Sequence, residues 1–212
     1  MGNRSSSDNN TSQSINAINV LLLGSYNSGK TVLLNQINQL YNKNNQHTNT
    51  NKISNNATMS PYALLATTPT TGVELCTFKY RYPSTHTLYK IQLNELGSSM
   101  SSTWHQYYTA QYNTIIYCIN TSQYNNNSTY SLCCTQLVEL CTNQQIIQHH
   151  IHIVIVLNNI SNDPTAIQQY RKYCYITQLS QQYKHVSCID VHGDNTDTIH
   201  RMIQHIVKQS AS

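Results

Sequence analysis

The chain has 212 residues, a formal net charge of +4 and 9% charged residues, against about 25% in an ordinary globular domain. That length suits one substantial core rather than two, and charge spread this thinly, with no run of Lys or Arg, excludes the clustered basic face that nucleic-acid binding requires. The seven cysteines show no CxxC spacing and read as reduced, buried thiols; no apolar stretch approaches the ~20 residues of a membrane span.

In chain order, residues 1–14 (MGNRSSSDNNTSQS) have no periodicity and are expected to be disordered. With Met1 removed they match the myristoylation pattern M-G-x-x-x-[ST] through Gly2 and Ser6. One such chain gives only weak, reversible membrane contact, with K of roughly 10⁴ M⁻¹. The apolar core of a signal peptide is missing from this segment. A domain over 15–209 is expected to follow. INAINVLLLG (15–24) reads as a buried strand and KTVLLNQINQLY (30–41) as a helix with Leu33, Ile37 and Leu40 on its apolar face. The Asn-rich stretch 42–60 reads as an unstructured insertion. GVELCTFKYRY (72–82) and HTLYKIQLNEL (86–96), joined by Pro83-Ser84-Thr85, read as a hairpin. A helix over about 103–111, strand 113–120, helix 129–148, strand 151–158, helix 164–181, strand 185–190 and helix 195–208 complete the alternation. The fold class this predicts is α/β, a doubly wound, mostly parallel sheet with one antiparallel edge hairpin.

Between the first strand and the first helix, Gly24-Ser25-Tyr26-Asn27-Ser28-Gly29-Lys30-Thr31 satisfies G-x-x-x-x-G-K-[ST]. The glycines let the backbone wrap closely, so that N–H groups around Asn27, Ser28 and Gly29 and the following helix N-terminus point at a phosphate. Lys30 is placed to bridge β- and γ-oxygens, and the Thr31 hydroxyl to ligate Mg²⁺.

Pro69-Thr70-Thr71-Gly72 at the head of the second strand, after a variable loop, resembles switch I of the ADP-ribosylation-factor-like small GTPases. The stretch Glu95-Leu96-Gly97-Ser98-Ser99-Met100, with Trp104 and Tyr107-Tyr108 beyond it, is similar to switch II in one branch of that family. The resemblance runs over residues 16–208 and implies a P-loop small GTPase fold, GTP/GDP and Mg²⁺ as cofactors, and metal ligation by Thr31 and Thr70. It implies that Gly72 lets the chain turn into the strand. It also implies effector proteins bound through the switch regions, which would present Tyr, Trp and Met side chains, together with an exchange factor and a GTPase-activating protein. A cytoplasmic location, reversibly membrane-associated at Golgi or cilium, follows by the same analogy.

Several positions depart from the family pattern. Glu95 replaces the aspartate that steadies Mg²⁺ through water, and Ser98 the second glycine, whose N–H contacts the γ-phosphate. Ser99 stands where a glutamine orients the attacking water, and its hydroxyl is too short for that task, so the resemblance implies a nominal GTPase with weak or partner-dependent activity, and very slow intrinsic hydrolysis is expected. In VLNNISNDP (156–164), Asn158 matches N-K-x-D. Asn159 replaces the lysine that packs on the base, and Ser161 the aspartate that pairs with guanine, so guanine selectivity should fall unless Asp163 swings into the site. Asp190-Val191-His192 falls near the last base-contacting loop. Ser98, Ser99, Asn159 and Ser161 also motivate a second reading, a pseudo-GTPase interaction module that does not cycle or does not bind nucleotide. A phosphate-loop ATPase or kinase is a third, without an arginine-rich lid to support it. His149, His150 and His152 read as polar residues at a strand edge rather than metal ligands, and Cys133-Cys134 as packing rather than a nucleophile.

Overall fold

Alternation of apolar runs with amphipathic segments produces six strands and a flanking set of helices. The computed structural model describes residues 15–42, 70–123, 127–159, 163–192 and 195–211. In order these form β1 (Asn16–Leu23), α1 (Lys30–Asn42), β2 (Val73–Arg81), β3 (Leu88–Leu96), a 3₁₀ helix (Ser98–Tyr107), β4 (Thr114–Asn120), a 3₁₀ turn (Thr121–Gln123), α2 (Asn127–Thr142), α3 (Gln144–Gln148), β5 (His152–Asn159), α4 (Pro164–Tyr173), α5 (Ile176–Gln182), β6 (Val186–His192) and α6 (Thr196–Ser210). The sheet order is β2-β3-β1-β4-β5-β6. Only β2 and β3 pair antiparallel; β1 pairs parallel with β3 and β4, and β5 with β4 and β6.

Burial on both faces follows from the two-residue period of a strand. Along β1, Leu21 and Leu23 point into one core layer, with Tyr117, Ile155, Leu137 and Tyr170. Val20 and Leu22 point into the other, against Leu33 and Ile37 of α1 and Met202, Ile203 and Ile206 of α6. Each such side chain contributes about 1.5–3 kcal/mol by leaving water. Because β1, β3, β4 and β5 run parallel, the loops that follow them gather at one edge of the sheet.

Three element boundaries differ from the sequence expectation. The helix expected at 103–111 is instead the 3₁₀ helix from Ser98 to Tyr107, tightened because Trp104 is drawn into the core and its Nε1 donates to the Gly97 carbonyl at 3.3 Å. The helix expected over 129–148 is interrupted at Asn143, whose side chain accepts from the Gln145 and Ile146 N–H groups and caps a new helix. The helix expected over 164–181 breaks at Tyr175, which takes a left-handed φ of 51°. Residues 1–14 with Gly2, and the Asn-rich insertion apart from Asn42, lie outside the described residues.

At the opposite edge from those loops, His152 and His205 both meet the Ser187 hydroxyl through Nε2, at 3.2 and 2.9 Å. His149 caps α3 and His150 follows it in a turn, so of the three only His152 lies on the strand, at its start; among the described residues no group of His, Cys, Asp or Glu is placed to hold a metal ion. Burial, with His205 and His185 adding to it, pushes the His152 pKa down to about 4 from 6.5. The unfolded chain then binds more protons between pH 6.5 and 4, so stability rises with pH through that window and is lost as pH falls through it. A loss of about 1–2 kcal/mol is expected from denaturant melts at pH 7 and pH 4, the full shift being discounted for the ring's partial exposure. His152→Gln should flatten part of that slope, the remainder coming from His185 and His205, whose pKa values burial also lowers; an unchanged slope would assign it to those groups alone.

Candidate functional site

Where β1 ends, the chain turns through a loop that leaves no room for side chains at its base. A Cβ on Gly24 would stand 2.4 Å from the Cys118 carbonyl oxygen and 2.5 Å from Ser28 Oγ, and Gly24 has φ +152°. Gly29 has φ +83° and Asn27 a left-handed φ of 57°. β4 fixes the loop from below: the Cys118 thiol donates to the Ser28 carbonyl at 3.0 Å, and Asn120 Nδ2 to the Asn27 carbonyl at 3.0 Å. The loop is thus preformed by hydrogen bonds from β4 side chains to its carbonyls and by packing.

Lys30, at the first position of α1, is buried rather than solvated. Its Nζ donates to the Gly24 and Ser25 carbonyls at 2.9 and 3.1 Å and to Ser28 Oγ at 3.3 Å. Desolvation pushes its pKa down, while Cys118 and Glu95 push it back up. A buried ammonium held by two carbonyls and a hydroxyl is placed to exchange them for anionic oxygens.

Thr31 lies beside it and meets the two distant segments. Its hydroxyl is 3.2 Å from that of Thr70, and both donate to Glu95 Oε1, at 2.8 and 3.0 Å. Glu95 is 1% exposed and its Oε2 has no hydrogen-bond partner among the described residues. Burial raises the Glu95 pKa; the two threonine hydrogen bonds and Lys30 oppose the rise, and Glu74 adds to it. Two hydroxyls and a carboxylate are the hard oxygen donors that Mg²⁺ prefers. The buried, orphaned Oε2 shows that these residues fit such an ion.

The two switch-like segments touch at Gly97. Its N–H donates to the Gly72 carbonyl at 3.0 Å, and a Cβ there would lie 2.2 Å from the Thr70 carbonyl oxygen. Gly97 is therefore the glycine this contact needs. Gly72, expected to matter for its turn, has open space where a Cβ would point and no left-handed φ. Ser98 also avoids positive φ, so its side chain costs the turn nothing. Ser99 is exposed on the 3₁₀ helix. Trp104 and Tyr108 are buried in the core, and Met100 and Tyr107 pack against it, so the expected display of these side chains is corrected. The large exposed apolar residues near this end are Val73 and Leu75 of β2, and Tyr26 of the loop.

On the other side, Asn158 is fully buried, its carboxamide against the Cys118 thiol and without another hydrogen-bond partner among the described residues. Asn159 does not reach outward: its Nδ2 donates to the Asp163 carbonyl, and its Oδ1 accepts from the Asp163 N–H and the Thr121 hydroxyl. Asp163 caps α4, its Oδ1 accepting from the Thr165 N–H at 2.9 Å, which holds it at the helix start. Asp190 is engaged by Arg171 at 2.6 Å and Val191 is in the core, which leaves neither for a base. Ser161 lies outside the described residues. Cys133 is buried 3.9 Å from Ser25 Oγ with its pKa raised by burial, as expected of a packing residue. All seven cysteines are free thiols.

No family model matches the chain, and no curated protein matches it. Among solved structures it is similar to the Arl6 BBS3 small GTPase from Trypanosoma brucei, described with the bound nucleotide analogue GppNp. The TM-score is 0.63 at 14% identity, covering 92% of this chain and 98% of that one. The fold is that of a P-loop small GTPase.

Proposed function

We propose that the chain is a guanine-nucleotide-binding switch of the Arf-like type. The observation that carries this reading is the convergence of Lys30, Thr31, Thr70 and Glu95 at the mouth of a preformed phosphate loop. Phosphates would be held by N–H groups of Asn27, Ser28 and Gly29, by Lys30 and by the N-terminus of α1. Thr31 and Thr70 would ligate Mg²⁺, which when bound neutralises charge on the β- and γ-phosphates. Ser98 would donate its N–H to the γ-phosphate, beside Gly97. Because Gly97 joins the Gly72 carbonyl and abuts Thr70, an ordered Thr70 also sets the start of the 3₁₀ helix. The γ-phosphate would thereby order two segments together, which is how such switches present a surface to effectors. Val73 and Leu75 on edge strand β2 support an effector surface there.

Hydrolysis on this reading is very slow and depends on a GTPase-activating protein, since Ser99 offers only a short, exposed hydroxyl at the water-orienting position. An exchange factor would reload the site. The stretch from Glu95 through Trp104 to Tyr108 resembles ADP-ribosylation factor-like protein 16, and by that resemblance the effector work belongs to membrane traffic at Golgi or cilium. N-myristoylation of Gly2 would supply the reversible membrane contact. No helix among the described residues is long and apolar enough to cross a membrane.

The second reading, a pseudo-GTPase, draws support from Asn159, whose carboxamide closes its own loop instead of lining a base. Base selection separates the two. Ser161→Asp restores a charged, bidentate acceptor for guanine and should raise the GTP-to-ATP affinity ratio about tenfold or more, from hydrogen bonds worth roughly 1.5–3 kcal/mol. Competitive titration measures this ratio. An unchanged ratio in a chain that binds GTP would assign base reading to another residue.

A further inference from the structure

Glu95 carries a carboxylate that its neighbours only half use. Oε1 accepts from Thr31 and Thr70, whereas Oε2 is buried and unpaired among the described residues. Leaving such an oxygen unsatisfied costs about 1–3 kcal/mol or more, and Lys30, the nearest cation to consider, is already engaged by three loop oxygens. Each threonine directs its only hydroxyl proton at Oε1, which leaves its lone pairs free for a cation. The extra methylene of glutamate, relative to the aspartate of the family pattern, brings the carboxylate fully up to both hydroxyls.

We propose that Glu95 ligates the divalent cation directly through Oε2, where the shorter aspartate acts through a bridging water. This chain then supplies three protein ligands, Glu95, Thr31 and Thr70, and the cation keeps one fewer water. The inference rests on the reading of the loop as a nucleotide site.

The test uses the full chain loaded with Mn²⁺ and a non-hydrolysable GTP analogue, with bound waters counted from the broadening of the Mn²⁺ electron paramagnetic resonance lines in ¹⁷O-water. One fewer water is expected in the unsubstituted protein than in Glu95→Asp. A second readout needs no variant: glutamate labelled with ¹³C at the carboxyl carbon should show a resolved coupling to Mn²⁺ in the unsubstituted chain, which has Glu only at 74, 95 and 139. Equal water counts, or a complex without the ¹³C coupling, would overturn the proposal while leaving the nucleotide site intact. If no Mn²⁺–nucleotide complex forms at all, the proposal and the nucleotide reading fall together.

Discussion

Lys30→Ala is expected to leave a folded chain that has lost GTP, with affinity falling by about 2–5 kcal/mol, the usual cost of truncating one member of a desolvated charge pair. At tenfold per ~1.4 kcal/mol this is a drop of roughly 30-fold to several thousandfold. The side chain sits over the loop on the Gly24 and Ser25 carbonyls and Ser28 Oγ, where it is placed to meet the phosphates. Its own burial opposes its charge, as the lowered pKa records. Removing it should therefore cost the nucleotide-free protein little compared with the loss of binding. Titration with labelled GTP, alongside a thermal melt of the nucleotide-free chain, separates the two effects. Affinity unchanged by the substitution would sink the assignment of this loop as a phosphate site.

Gly24→Ala should damage the fold itself. The new Cβ would stand 2.4 Å from a backbone oxygen of β4, which cannot rotate away, and the residue would be held at φ +152°. Overpacking costs about 1–3 kcal/mol and a strained backbone a further 1–3 kcal/mol. With each kcal/mol lowering Tm by about 2–4 °C in a chain of this length, a drop of ~10 °C is expected. Because Cys118 holds both Gly24 and the Ser28 carbonyl, nucleotide binding should fall along with stability. A melt within a degree or two of the unsubstituted protein would show that the loop relaxes away from β4, and the preformed cradle would have to be abandoned.

Much of this was legible in the sequence because it is encoded locally. The apolar run ending at Gly24, the loop residues and the helix from Lys30 are contiguous, and β1 and α1 form where their periodicity places them. The hairpin of β2 and β3 was legible for the same reason, as two alternating runs around a short turn. What failed depends on residues far apart in the chain. Gly97 belongs to the family-like stretch, but the close approach of the Thr70 carbonyl that requires a glycine there comes from far away in the chain and is not visible in the sequence. Trp104 reads as a candidate for display only until the core closes over it. Asp163 reads in the sequence as a free carboxylate beside the base motif, yet one of its oxygens caps α4. The breaks at Asn143 and Tyr175 are single-residue events, a cap and a left-handed turn, inside segments whose apolar spacing continues across them.

The central claim is that the loop from Gly24 to Thr31 holds a guanine nucleotide. Its most direct test is to purify the protein without added nucleotide, extract and identify whatever accompanies it, and titrate labelled GDP, GTP and ATP in the presence of Mg²⁺. The account predicts co-purified GDP or GTP that ATP cannot displace. A protein that emerges empty and binds none of the three would contradict it, leaving the small-GTPase fold in place as an interaction module without a nucleotide.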